Sequence, residues 1–400
     1  MNILINSLSG ISVSANPVEM VERKGLGHPD TICDYLAENL SSNLCRFYHD
    51  HFGIVLHHNV DKGLLFGGRS APAFGGGKVL EPMDIFLVGR ATMSFRGIKV
   101  PVEELAIEGT RQWFRKNFHA LDPERHLKIH CLIRPGSQDL TELFLRQATT
   151  GIALANDTSC GVGYAPLSEL ERVVLESERY INSPVIRDAH PAFGQDIKVM
   201  GLRSDNHIVL TVACAFIDRY VQDMDDYLQQ KNTLARLVIE NAKKITKQEI
   251  VVDVNTGDDP EAGSIYLTVT GTSGEAGDDG EVGRGNRPNG LITPYRPMNM
   301  EAVAGKNPVT HVGKIYNVAA RLMAEQIVKN IPAVDEAYCF LVSQIGYPVQ
   351  EPQRLEIKLR VADERILPEL KREVSSIAEN TLREMNNLWR QVIDGTVPVC

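Results

Sequence analysis

Leu355-Glu-Ile-Lys-Leu-Arg-Val361 alternates apolar and charged residues. A period of two puts Leu355, Ile357, Leu359 and Val361 on one face of an extended strand and the charges on the other. Leu127 to Ile133, Gln248 to Val254 and Ser264 to Thr270 read the same way. Strands with one buried and one wet face belong to antiparallel or mixed sheets, because a parallel sheet covered on both sides needs apolar residues at every position. Helical patterns lie between them. His28 to Phe47 spaces Ile32, Leu36, Leu40 and Leu44 by four, with Pro29 suited to a first turn. Asp225 to Thr246, Val309 to Ile331 and Pro368 to Val392 are the other strong segments. Strands interleaved with a few long helices predict an α+β fold, with helices on one face of mixed or antiparallel sheets.

The chain has 400 residues, 43% hydrophobic and 23% charged, enough apolar material for several packed cores. At about 150 residues per domain this means two or three domains or one subunit of several layers. Natural boundaries fall near Gly136 and in the long loop from Thr270 to Asn307. A net charge of -9 argues against a protein that holds nucleic-acid backbone, so any anionic ligand must be met by local cations. No run approaches the roughly 20 apolar residues of a membrane helix, and no Lys or Arg precedes the first apolar residues as in a signal peptide. A cytoplasmic protein without membrane or nucleic-acid partners is the expectation. The seven cysteines form no C-x-x-C pair and read as reduced, buried thiols.

Chemistry concentrates in the loops. Glu22-Arg-Lys-Gly-Leu-Gly-His-Pro-Asp30 runs two glycines into a helix start. Backbone N–H groups and the helix dipole favour an anion there, His28 can reach it, and Asp30 can bind a hard cation that bridges phosphates; plain N-capping is the competing reading. His57-His-Asn-Val-Asp-Lys62 and the glycine-rich Gly67 to Lys78 suit a mobile phosphate-facing loop, although no G-x-x-x-x-G-K-[ST] motif occurs. The adjacent histidines lack a third ligand at usable spacing and read as a satisfied polar pair. Arg134-Pro-Gly-Ser-Gln-Asp139 and Ala155 to Pro166 place Asp139 and Asp157 where a carboxylate binds a ribose hydroxyl or a cation. The strongest segment is the loop beyond Thr270, with Gly277-Asp-Asp-Gly280, Gly283-Arg-Gly-Asn-Arg287 and Gly305-Lys-Asn-Pro308 ahead of a helix carrying His311 and Lys314. Loops this long in a compact protein are uncommon unless functional or disordered. Paired aspartates beside Arg284 and Lys306 suit a divalent metal and a polyphosphate.

In this order, Gly-His-Pro-Asp at 27–30, Asn-Asp-Thr-Ser at 156–159 and the three glycine motifs of the long loop resemble the archaeal-type S-adenosylmethionine synthetase family, over about residues 18–365. Thr31 and Asn307 stand where the bacterial and eukaryotic branch usually has Lys and Asp, and Cys160 departs from an expected Phe. The resemblance implies attack of methionine sulfur on C5′ of ATP, expelling triphosphate that is then hydrolysed to pyrophosphate and phosphate. It implies three similar subdomains, roughly 1–135, 136–270 and 271–400, with sheets packed at a dimer interface and active sites shared across it. It implies Mg²⁺ and leaves open a monovalent cation such as K⁺. By motif, His28 meets the leaving triphosphate, Asp30 and Asp157 bind metal, and Lys62, Arg284 and Lys306 hold phosphates. Arg134, Gly136, Ser137, Asp139, Asp157, His311 and Lys314 belong to the ATP site, and Asp278 and Asp279 take methionine or metal. A thioether has no proton to lose, which fits the lack of a nucleophile triad. Another metal-dependent polyphosphate enzyme and a non-catalytic homologue are the rival readings.

Overall fold

Leu355, Ile357 and Leu359 are completely buried, as their alternation requires, in the strand Arg354–Val361. The computed structural model describes residues 3–136 and 152–399. Arg354–Val361 lies antiparallel to Val334–Val342, which is antiparallel to Cys160–Ala165, and its other edge takes Ile3–Ser7 in parallel. Two further sheets repeat that sequence of pairings. In one, Val18–Lys24 and Phe193–Ser204 are antiparallel, as are Phe193–Ser204 and His207–Ile217, and Glu249–Val254 adds in parallel. In the other, Gly280–Glu281, His58–Phe66 and Met83–Ala91 are successively antiparallel, and Leu127–Arg134 adds in parallel. The mixed sheets follow the alternation read from the sequence.

Each sheet packs one face on long helices. Pro29–Phe52 and Val102–Asn117 cover the sheet of His58–Phe66; Glu169–Ile181 and Met224–Ala242 cover that of Phe193–Ser204; Val312–Asn330 and Leu367–Ile393 cover that of Val334–Val342. Ile32, Leu36, Leu40 and Leu44, spaced by four, are all buried in one of the resulting apolar cores. The connections cross between sheets. Val18–Lys24 leads into the Pro29 helix yet pairs in another sheet, and Cys160–Ala165 and Gly280–Glu281 likewise pair away from the helices that follow them.

Two segments differ from expectation. Only Leu267–Thr268 of Ser264 to Thr270 forms a strand. The Glu275 carboxylate accepts from the backbone N–H groups of Val269 (2.7 Å) and Thr270 (2.5 Å), and Asp258 from that of Tyr266 (3.0 Å), so side chains take donors that a strand would give to its neighbour. The glycine-rich stretch after Gly67 contains a hairpin of Arg69–Ala71 and Lys78–Glu81, and Asp218 accepts from the N–H groups of Ala73 (3.2 Å) and Gly77 (2.6 Å). The described cysteines are free thiols; Cys33, Cys45, Cys214 and Cys339 are buried, whereas Cys160 is exposed.

Candidate active site

His28 is the N-cap of the Pro29 helix, and its Nδ1 accepts from the backbone N–H of Asp30 at 3.2 Å. That use of Nδ1 leaves the ring proton on Nε2. Capping and ligand binding are therefore compatible here, because the cap occupies one nitrogen and leaves the other as a donor. The approach is fixed by glycine. Gly25 and Gly27 donate to the carbonyls of Ile197 (2.7 Å) and Gln195 (2.8 Å), and a Cβ on Gly27 would lie 2.3 Å from the backbone nitrogen of Asp196. Thr272 Oγ1 holds the Gly27 carbonyl at 2.7 Å. Asp196, almost wholly buried, accepts from Ser273 N–H (2.9 Å) and Tyr266 hydroxyl (3.2 Å); burial raises its pKa, and these bonds oppose the rise.

The loop after Thr270 wraps this helix start. Asp30 accepts from Glu281 N–H at 2.9 Å on Oδ1 and binds Lys24 Nζ at 2.9 Å on Oδ2. Asp34, one turn on, accepts from Gly283 N–H at 2.8 Å, and burial pushes its carboxyl up to about 7. Asp279 accepts from Gly67 N–H (2.8 Å) and Asp278 from Ser273 Oγ (2.9 Å), both exposed. Arg284 is exposed and its guanidinium has no hydrogen bond or ion pair among the described residues. Arg287 instead turns inward to the carbonyls of Gly283 (2.5 Å) and Gly285 (3.0 Å).

A second cluster adjoins the strand His58–Phe66. Asp61 is buried between Lys62, at 2.5 Å, and Lys306, and the two cations hold its pKa below the usual range despite burial. Lys306 also pairs with Glu301 at 2.8 Å. His311 caps the Val312 helix as His28 caps its own, Nδ1 accepting from Gly313 N–H at 3.2 Å; burial and Lys306 lower its pKa to about 3. Lys314 is 1% exposed and binds both oxygens of Glu38 at 2.8 and 2.6 Å. Its charge is thus matched inside the protein, as a buried ammonium requires. Asp157 accepts from Thr158 N–H (2.8 Å), and its loop joins the Thr310 segment through Asn156 N–H to Thr310 carbonyl at 3.2 Å. The adjacent histidines are both buried; His58 contacts Ser41 Oγ (2.8 Å) and the Leu56 carbonyl (3.1 Å). Arg134 is exposed at its strand end and Gly136 lies against the His57 ring, while Ser137 and Asp139 fall outside the described residues.

The family model for S-adenosylmethionine synthetase (AdoMet synthetase) matches residues 1–396. The chain belongs to the S-adenosylmethionine synthetase family. It is 52% identical to a probable S-adenosylmethionine synthase of Aquifex aeolicus, covering 98% of each chain, and 47% identical to the S-adenosylmethionine synthase of Pyrococcus furiosus, covering 100% of this chain and 99% of that one. A solved S-adenosylmethionine synthetase from Campylobacter jejuni shares the fold at a TM-score of 0.59 and 14% identity, over 94% of this chain and 93% of that one. Methionine adenosyltransferase activity follows from membership in the synthetase family.

Against that family, the motif residues fall into two neighbouring groups, one at the helix start of Pro29 and one around Asp61. Lys24, Asp34, Glu38, Asp61 and Asp196 were missing from the residues singled out by sequence, although each binds a motif segment. Lys24 and Asp61 stood inside quoted motifs, so proximity was their only signal. Asp196, in Phe193–Ser204, carried none. Among the described residues no three His, Cys, Asp or Glu side chains form a metal cage. Asp30 already accommodates an ammonium at 2.9 Å, and one carboxylate of this kind suits a Mg²⁺ whose other ligands are substrate phosphates and water.

Proposed function

We propose that this synthetase joins methionine sulfur to C5′ of ATP and then hydrolyses the expelled triphosphate to pyrophosphate and phosphate, using Mg²⁺ and, as the family resemblance leaves open, a monovalent cation such as K⁺. The observation that carries the reading is the meeting of Gly27-His-Pro-Asp30 with the 277–287 loop, through Asp30 to Glu281 and Asp34 to Gly283. It brings helix-start N–H groups, an imidazole, carboxylates and an open guanidinium to one place. A proton-free nucleophile needs orientation and leaving-group stabilisation, and orientation alone can supply about 7 to 11 kcal/mol. The charge that develops on the leaving triphosphate is met by His28 Nε2–H, which the cap holds in one orientation. Arg284 and Lys62, both exposed, grip the phosphates. Lys306 is held by Asp61 and Glu301 at the edge of the same site, with His311 beside it as a neutral donor. Asp30 and Asp157 would hold Mg²⁺, which when bound neutralises polyphosphate charge. Asp278 and Asp279 face the methionine ammonium, and Arg134 and Gly136 line the nucleoside side.

The repeated sheet topology supports three similar interleaved subdomains, and the exposed apolar sheet faces support a homo-oligomer, most simply a dimer, in the cytoplasm. Incubation with ATP, methionine and Mg²⁺ and mass detection of S-adenosylmethionine, pyrophosphate and phosphate tests the reaction. Formation of phosphate products without the sulfonium would overturn it.

A further inference from the structure

The least explained group at the site is Lys24, the last residue of the strand Val18–Lys24. Its backbone is clamped on both sides. Lys24 N–H donates to Asn286 Oδ1 (3.0 Å), and the Lys24 carbonyl accepts from Asn286 Nδ2 (2.7 Å) and Thr31 Oγ1 (3.2 Å). Its ammonium, 15% exposed, donates to Asp30 Oδ2 at 2.9 Å and to the Arg284 carbonyl at 2.8 Å. Glu281 N–H takes the other oxygen of Asp30 at 2.9 Å. The carboxylate assigned to the metal therefore has both oxygens engaged by the protein itself.

A divalent ion at Asp30 must share that carboxylate with a fixed positive charge or displace it. Free in water, the ion offers Lys24 nothing in exchange. With polyphosphate present, a long flexible ammonium gains phosphate oxygens to turn to, and the ion gains the same oxygens as ligands. We propose that Lys24 is a positioning residue that occupies Asp30 in the nucleotide-free enzyme and makes divalent-cation binding there conditional on the arrival of polyphosphate. This rests on the reading of Asp30 as a metal ligand. Lys24 also keeps the carboxylate and the Arg284 backbone in register while the site is empty of charge from substrate.

The test is titration of the full enzyme with Mn²⁺, followed by electron paramagnetic resonance of the free ion, with and without an imido analogue of ATP. A like charge a few ångströms from a site commonly changes cation affinity by a factor of ten or more. Lys24→Met should bind Mn²⁺ about ten-fold more tightly than wild type without nucleotide, and the gap should close with the analogue. Lys24→Arg, which keeps the charge, should bind as weakly as wild type. Unchanged or weaker nucleotide-free binding in Lys24→Met would overturn the role of Lys24, as would equal tightening in Lys24→Arg. Adding Asp30→Asn to Lys24→Met should abolish the gain; a gain that survives would show the ion is elsewhere and sink the assignment of Asp30 itself.

Discussion

The proposed function gives the ring of His28 two tasks. Nδ1 caps the helix, and under the proposed role Nε2–H meets the leaving triphosphate, so the variants test the two tasks. His28→Asn keeps a capping side chain and His28→Ala does not; both should lower kcat strongly while ATP affinity changes much less, because only contacts strengthened in the transition state act on kcat selectively. Steady-state rates beside equilibrium ATP binding decide it, and near-normal turnover with lost affinity would contradict the role. The Arg284 guanidinium, with no hydrogen bond or ion pair among the described residues, invites the complementary experiment. Loss of a charge-assisted hydrogen bond costs about 1.5 to 3 kcal/mol. Arg284→Leu should therefore slow hydrolysis of added triphosphate more than it weakens methionine binding, with Arg284→Lys rescuing in part, since a point charge cannot engage two phosphate oxygens as a planar fork does. Asp34 makes a prediction about pH. Its carboxyl is raised by burial from 3.8 to about 7, so between those values the folded protein holds a proton that the unfolded chain has released. Stability contributed by this group is then lost as pH rises from about 4 to about 7, at no more than about 1.4 kcal/mol per pH unit. Asp34→Asn keeps an oxygen for Gly283 N–H and removes the titration. Melting curves of the two proteins should diverge in favour of the variant across that range and run parallel above it; parallel curves throughout would refute the shift.

At the scale of elements, the Pro29 and Val312 helices are built alike, each started by a histidine and each giving a charged residue to a shared interior pair, Glu38 and Lys314. Glu38 also accepts from Gly305 N–H at 2.9 Å, so the pair ties the two helices to the segment carrying Lys306. Lys314→Met leaves a buried carboxylate without its cation and should cost about 3 to 5 kcal/mol. Glu38→Gln combined with Lys314→Met should recover most of that loss, because the amide oxygen still serves Gly305 and no charge remains. Denaturation midpoints of the four proteins in this cycle measure the coupling, and additive losses would show the pair is not the source. The glycine motifs, His28 and the paired aspartates were visible because unusual residues crowd a short stretch. Glu38 and Asp34 were not, because each lies within a helix whose period advertises only its apolar stripe, and their partners are some 250 or more positions away.

For the whole molecule, alternation in Arg354–Val361, Leu127–Arg134 and Glu249–Val254 was enough to foretell mixed sheets with helices on one face. The crossing of strands between sheets was not legible, since pairing Val18–Lys24 with Phe193–Ser204 is a fact of distance, not of local pattern. What those sheets leave uncovered leads to the last prediction. On the face away from the helices, Met20, Leu202, Val209 and Val251 stand in register as one row across four strands. Met20, Leu202 and Val251 are 41%, 39% and 47% exposed. The sheet of His58–Phe66 shows Leu64, Phe66 and Leu132 at 42%, 56% and 54%. Exposed apolar side chains grouped on one face of a sheet make poor solvent faces and good subunit interfaces. Glu22 and Lys198, paired at 3.1 Å, lie on the same face further along the strands, where Lys198 stands opposite Lys24 beside the candidate site. An interface on this face would therefore bring a second subunit close to the motif loops, and loss of assembly should carry activity with it. Leu202 lies in the middle of its row, where a buried side chain is worth about 2 kcal/mol or more to association. Leu202→Glu adds an unpaired charge to that loss, so the dissociation constant should rise by about 100-fold or more, with specific activity falling in proportion to the dimer. Light scattering across a dilution series, with activity assayed on the same samples, gives both quantities, and a wild-type monomer that stays active at low concentration would refute the interface.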